Sequence, residues 1–220
     1  MAPLSTPSLP HSPPLLVHGS LHYHVLTPAH STAALTLIAE AFSDEPTSVH
    51  LQASRERRLQ QWRVFAAFFA EECASNDCSI VCIDTATTES ESGSEYVSGA
   101  VGGRVAGVFW VRDFMFDLPG DFSVEGLDCI APVVGVLEKL DNGYHELRPG
   151  LQKGECVDLW MLGVSPDYRK RGIAANLTSV AVEWMRTKGF SYVVLEASGG
   201  FSARCAEKAG WCIILNPFPV

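Results

Sequence analysis

Apolar and polar positions along the chain change period several times, and each change marks an element. Residues 22–26 alternate with the two-residue period of a strand. Leu35, Ile38, Ala39 and Phe42 then recur at helical steps behind Ser31 and Thr32, a capping pair, and this helix is expected to stop near Asp44-Glu45-Pro46. A second helix opens at Ser54 and carries Leu59, Trp62, Phe65, Phe69 and Cys73 on one face, with Arg55, Arg57, Arg58, Glu71 and Glu72 mostly outside. Residues 79–84 read as a short buried strand, 85–95 as a polar loop and 104–112 as a strongly apolar strand.

A third helix is expected roughly over 124–140, ending at Asp141-Asn142-Gly143. Residues 157–164 form the clearest strand, in which the two-residue period puts Asp158, Trp160, Leu162 and Val164 on one face. Ile173, Leu177, Val180, Ala181 and Trp184 stripe the next helix, which Lys188-Gly189 terminates. A strand at 192–197, a short helix at 202–209 and a last strand at 211–215 complete the pattern.

Composition bounds this picture. A chain of 220 residues with a 47% hydrophobic share has material for one compact core. Residues 1–20 carry Pro at 3, 7, 10, 13 and 14 among Ser and Thr, and are expected to be a flexible leader before one domain at 21–220. The leader has no Lys or Arg, unlike a secretory or transit segment, and no apolar run approaches the roughly 20 residues that span a bilayer. Sixteen Lys+Arg against 25 Asp+Glu give a net charge of −9, which repels nucleic acid and anionic membranes and suits an amine partner. Seven cysteines without CxxC spacing argue against a disulfide framework or a metal site, and a cytoplasmic location is expected.

The segment that carries chemistry runs from strand to helix as Leu162-Gly163-Val164-Ser165-Pro166-Asp167-Tyr168-Arg169-Lys170-Arg171-Gly172-Ile173-Ala174. A helix opening at Gly172 leaves backbone N–H groups without partners, and small residues at 172 and 174 let an anion approach them. Arg169, Lys170 and Arg171 add positive charge beside those donors, the make-up of a pyrophosphate cradle. Neither a Gly-Lys-Ser/Thr ending nor a GxGxxG occurs, which disfavours the other nucleotide folds.

Arg169-x-x-Gly172-x-Ala174 behind Leu162-Gly163-Val164 resembles the R/Q-x-x-G-x-G/A motif of the GNAT superfamily of N-acetyltransferases. Val194-Leu195-Glu196-Ala197-Ser198, leading to Glu207-Lys208-Ala209-Gly210-Trp211, resembles that family's next strand, short helix and closing glycine-aromatic step. The likeness follows element order over about 21–215 and is close over 155–215. It implies an α/β (α+β) fold with a mixed central sheet, a parallel strand pair that splays after Leu162, and flanking helices. It also implies acetyl-CoA as acyl-donor cosubstrate, held by Leu162, Gly163, Val164, Arg169, Lys170, Arg171, Gly172, Ile173 and Ala174.

Phe42-Ser43-Asp44-Glu45-Pro46 and the long helix before the 157–164 strand are similar to arylalkylamine N-acetyltransferase-like enzymes, a group that includes the dopamine N-acetyltransferases. That resemblance implies Glu45 as general base, and Ser198 and Ser202 match two serines four residues apart. Asp158, a carboxylate on an apolar strand, is the second candidate base. Many relatives place a tyrosine acid where this chain has Ala206, which leaves Ser202, or Ser198 through water, to protonate the departing thiolate. Phe42, Trp160 and Phe201 flank these positions and suit an apolar pocket for an aromatic amine. The expected reaction is direct acetyl transfer to the primary amine of a small arylalkylamine, with polyamine, peptide or protein amines as alternatives and a non-catalytic CoA-binding module as the other class. A monomer or homodimer is expected.

Overall fold

The computed structural model describes residues 13–51, 53–87, 103–118, 120, 122–197, 202, 203, 206 and 211. Six strands form one sheet in chain order: β1 (Leu16–His18), β2 (Leu21–Val25), β3 (Ile80–Asp84), β4 (Arg104–Asp113), β5 (Cys156–Val164) and β6 (Tyr192–Val194). Neighbours are antiparallel from β1 to β5, and β6 runs parallel to β5. A parallel pair needs a crossover, and the helix α5 (Ile173–Thr187) supplies it.

Two helices, α1 (Ser31–Ser43) and α3 (Arg55–Ser75), cover one face of the sheet. Their apolar stripes bury Leu37, Ile38, Trp62, Phe65 and Phe69 against Val81, Val108 and Trp110. On the opposite face α5 buries Ile173, Leu177, Ala181 and Met185 against Cys82, Phe109, Val157 and Leu159. Among the described residues no helix is long and apolar enough to cross a membrane.

Several boundaries differ from the expected ones. Residues 16–18, inside the stretch expected to be a leader, form β1 and pair with β2 around Gly19 at φ 62°. Leu16 and Val17 remain exposed, so the backbone ladder and not core burial holds this strand, and apolar counting misses it. Residues 1–12 lie outside the described residues. The helix expected over 124–140 is α4 (Ala131–Leu147): proline in the first turn sets its start, and it runs through Asn142-Gly143 because Tyr144 packs against Phe114, ring centroids 5.0 Å apart. Pro46, expected as a stop, opens a short helix, α2 (Pro46–Val49).

Arg58, expected outside, is 8% exposed. Its Nε donates to the Ser43 carbonyl at 3.0 Å and its Nη1 to the Ala53 carbonyl at 2.6 Å. Four residues on, the Trp62 indole N–H donates to Ser48 Oγ at 3.0 Å. One turn of α3 thus ties down Ser43, Ser48 and Ala53, because backbone carbonyls that leave water must find donors.

Helix α1 crosses β5 at Gly163, where an added Cβ would lie 2.4 Å from Leu37 Cδ2 and 3.4 Å from Ala41 Cβ. Leu37 is itself 2% exposed and has little room to turn away. Gly163→Ala is expected to cost about 1–3 kcal/mol in chemical denaturation through overpacking. An unchanged midpoint would show that Leu37 repacks freely.

Candidate active site

Strand β5 is the backbone of the site. It pairs with β6 through only three residues, Cys156↔Tyr192, Val157↔Val193 and Asp158↔Val194. Beyond them the two strands part, four residues earlier than the expected point at Leu162. Residues 159–164 therefore keep antiparallel neighbours on β4 but have no strand partner on the other side among the described residues.

Past β5, the buried Ser165 and a 3-10 turn over Pro166–Tyr168 lead into the basic loop. Arg169 is extended, Lys170 has φ 65° and Gly172, the N-cap of α5, has φ 77°. A left-handed N-cap costs glycine nothing and most other residues 1–2 kcal/mol or so. A Cβ at Gly172 would meet nothing within 4 Å, so conformation and not crowding demands glycine there in the free chain. Ile173, Ala174 and Ala175 open the helix, and their N–H groups have no intrahelical acceptor. Ile173 is 2% exposed, so its side chain belongs to the core and only its backbone faces the loop. Arg169, Lys170 and Arg171 are exposed, and the Arg171 guanidinium lies 4.9 Å from the ring centre of Tyr168. Tyr168 is anchored in turn, its hydroxyl donating to Asp84 at 3.0 Å.

Free donors, open space over Gly172 and three exposed cations fit a diphosphate. Leu162 and Val164 are half-buried toward the α5 face, while Gly163 faces α1, so these three offer a ligand mainly their backbone.

On the other face, a cleft of about 430 Å³, counting the part open to solvent, is lined by Phe42, Thr47, Trp62, Phe65, Trp160 and Glu196 among others. Phe42 reaches it from α1, with its ring 5.1 Å from that of Trp62. Trp160 reaches it through a β-bulge: Val111 pairs with Leu159 and Trp110 with Met161, leaving Trp160 without an opposite residue. The bulge corrects the expected common face, since Trp160 and Met161 both pack toward α1 and α3 while Leu162 and Val164 turn to the α5 side.

Glu45 lies at the edge of this cleft without lining it. It is the N-cap of α2, with Oε2 accepting the Thr47 backbone N–H at 2.9 Å and the Thr47 hydroxyl, while its buried Oε1 has no hydrogen-bond partner. Asp44 beside it pairs with Arg55 at 2.8 Å, a hydrogen-bonded contact that holds the Asp44 carboxyl below its ordinary range. Asp158 is wholly buried and does not reach the cleft. Its Oδ2 accepts from Arg112 Nε at 3.0 Å, and burial still pushes its carboxyl upward against the pull of that guanidinium.

Two further carboxyls, unforeseen from the sequence, converge on Arg112. Asp141 of α4 lies 3.9 Å from Arg112 Nη2, and burial, with Asp158 adding to it, raises Asp141 to about 6. Glu196, just beyond β6, is raised to about 9 by burial and then by Asp141 and Asp158, and its Oε1 is buried without a partner. The same Arg112 guanidinium sits 4.1 Å from the ring centre of Trp160, which ties the charge cluster to the aromatic cleft. A signal was available: Glu196 is the lone acid in the apolar run Val193-Val194-Leu195-Glu196-Ala197. Ser202 is helical and half-buried, whereas Ser198 and Phe201 lie outside the described residues.

The acetyltransferase (GNAT) family model matches residues 38–211, from within α1 to the last described residue. The chain belongs to the GNAT family. As such it is an acetyl-CoA-dependent N-acetyltransferase, with a mixed six-stranded sheet between helices as that fold requires. No curated protein sequence matches it. Among solved structures, the C-terminal condensation domain of Ebony, in complex with beta-alanyl-dopamine, superposes with a TM-score of 0.67 at 14% identity, over 89% of this chain and 84% of that one. The putative arylalkylamine N-acetyltransferase 7 of the yellow fever mosquito Aedes aegypti gives 0.58 at 17% identity, over 86% and 72%. Arylalkylamine N-acetyltransferase 2 of Aedes aegypti gives 0.55 at 15% identity, over 87% and 82%. At these identities the likeness is one of fold.

Proposed function

We propose that this GNAT enzyme moves the acetyl group of acetyl-CoA directly onto the primary amine of a small arylalkylamine. The observation that carries the reading is the cleft: an aromatic lining from Phe42, Trp62, Phe65 and Trp160 with a carboxyl at its wall, beside the open edge of β5. Aromatic walls with one acid suit a ring joined to an ammonium group. In this reading Arg169, Lys170, Arg171 and the first N–H groups of α5 hold the diphosphate of the cosubstrate. The backbone of 159–164 meets its pantetheine arm, and Ser202, or Ser198 through water, returns a proton to the thiolate.

The test is thiol release from acetyl-CoA with tryptamine, dopamine, spermidine and a short peptide in parallel. Tryptamine and dopamine are expected to give the highest kcat/KM, by at least about tenfold over spermidine, whose second and third charges have no counterpart on the aromatic wall. Preference for spermidine or the peptide would sink the arylalkylamine assignment.

A further inference from the structure

We infer that Glu196, and not Glu45, is the carboxylate that meets the acceptor's ammonium group and takes its proton. The inference deepens the arylalkylamine reading and rests on the same cleft. Glu196 contributes to the cleft wall directly and holds a buried carboxylate oxygen with no hydrogen-bond partner. A buried acceptor of this kind is costly until a donor arrives, and an ammonium brings three. Glu45 Oε1 is likewise buried without a partner, but its Oε2 is tied to Thr47, and Thr47, not Glu45, lines the cleft, so place in the cleft separates the two carboxyls. Glu45 is thereby a positioning residue that fixes the wall.

The groups facing Glu196 explain why it suits proton transfer. Asp141 from α4 and Asp158 from β5 oppose its ionisation, Arg112 from β4 favours it, and burial dominates. An ordinary glutamate near 4.3 is roughly six units too weak a base for an alkylammonium near 10. Burial, with Asp141 and Asp158 beside it, makes the Glu196 carboxylate a stronger base than an ordinary glutamate, which narrows that gap. One of the two protons that nitrogen must lose passes to the Glu196 carboxylate and on to solvent. The freed lone pair forms the N–C bond to the thioester carbonyl carbon, the C–S bond breaks with its electron pair on sulfur, and nitrogen's second proton ends on the thiolate. The products are the N-acetylamine, CoA thiol and one released proton.

The experiment compares wild type, Glu196→Gln, Glu196→Asp and Glu45→Gln on whichever amine of the panel wild type acetylates best, with acetyl-CoA affinity measured separately by calorimetry. Glu196→Gln is expected to lower kcat/KM by 10²–10⁴-fold with acetyl-CoA affinity unchanged, and Glu196→Asp to recover part of that loss. Besides the limb of the amine's own deprotonation near 10, the wild-type profile of kcat/KM against pH should carry an enzyme limb near 9 that Glu196→Gln lacks and Glu45→Gln retains. A Glu196→Gln enzyme with the wild-type rate and limb overturns the assignment alone. Best turnover with spermidine or peptide, still lost in Glu196→Gln, overturns the substrate class and keeps Glu196. Wild type that acetylates nothing overturns both.

Discussion

Replacing Arg112 with methionine is expected to lower the unfolding free energy by about 3–5 kcal/mol at pH 8, the cost of leaving one half of a buried ion pair behind. Asp158 is the half left behind, with 1% side-chain exposure and Arg112 as the donor to its Oδ2. The sign of the pH effect follows from the raised carboxyls. A carboxyl whose value is higher in the folded state binds more protons folded than unfolded between its two values, so stability falls as pH rises through that window. For Asp141 the window runs from the ordinary range near 4 to about 6, and for Glu196 to about 9. Without Arg112 the window for Asp158 widens upward, and the variant's deficit should shrink between pH 8 and pH 5 as Asp158 takes up a proton. Urea titrations at both pH values measure this, and Asp158→Asn in the Arg112→Met background should recover most of the loss. An equal deficit at both values would assign the loss to packing of the Arg112 stem on Trp160.

Gly172→Val is expected to weaken acetyl-CoA binding at least about tenfold in calorimetry while leaving the acceptor cleft intact. Two effects act together. A β-branched residue at φ 77° strains the N-cap by about 1–3 kcal/mol, and its side chain fills the space, empty to 4 Å, through which an anion reaches the first N–H groups of α5. Gly172→Asn separates them, because asparagine accepts the left-handed conformation but still occupies the space. Weak binding in both variants points to occlusion, and recovery in Gly172→Asn points to strain. Wild-type affinity in both would move the diphosphate away from this loop.

What was legible in the sequence has a physical pattern. Elements α1, α3, β5 and α5 each bury one continuous stripe, so periodicity alone locates them, and Arg169 to Ala174 falls between β5 and α5 as its motif demands. The acceptor side was legible only in part. Phe42 and Trp160 do share a cleft, but the bulge at Trp160 breaks the two-residue rule, and no run of side chains announces an extra residue opposite a pair. Asn142-Gly143 beside Asp141 is a turn signal, whereas burial of Tyr144 carries α4 past it. Glu196 was visible as an acid in an apolar strand, yet its meaning depends on Arg112, Asp141 and Asp158, which come from three other elements.

The glycine at 163 has a mechanical consequence. Because no side chain stands between them, the α1 residues Leu37 and Ala41 rest directly on the β5 backbone, and Phe42 follows Ala41 immediately. The strand whose edge is unpaired among the described residues and the helix that carries Phe42 to the cleft are thus in direct contact. A methyl group at 163 would stand between β5 and α1, so its absence sets how closely that strand approaches the helix that carries Phe42.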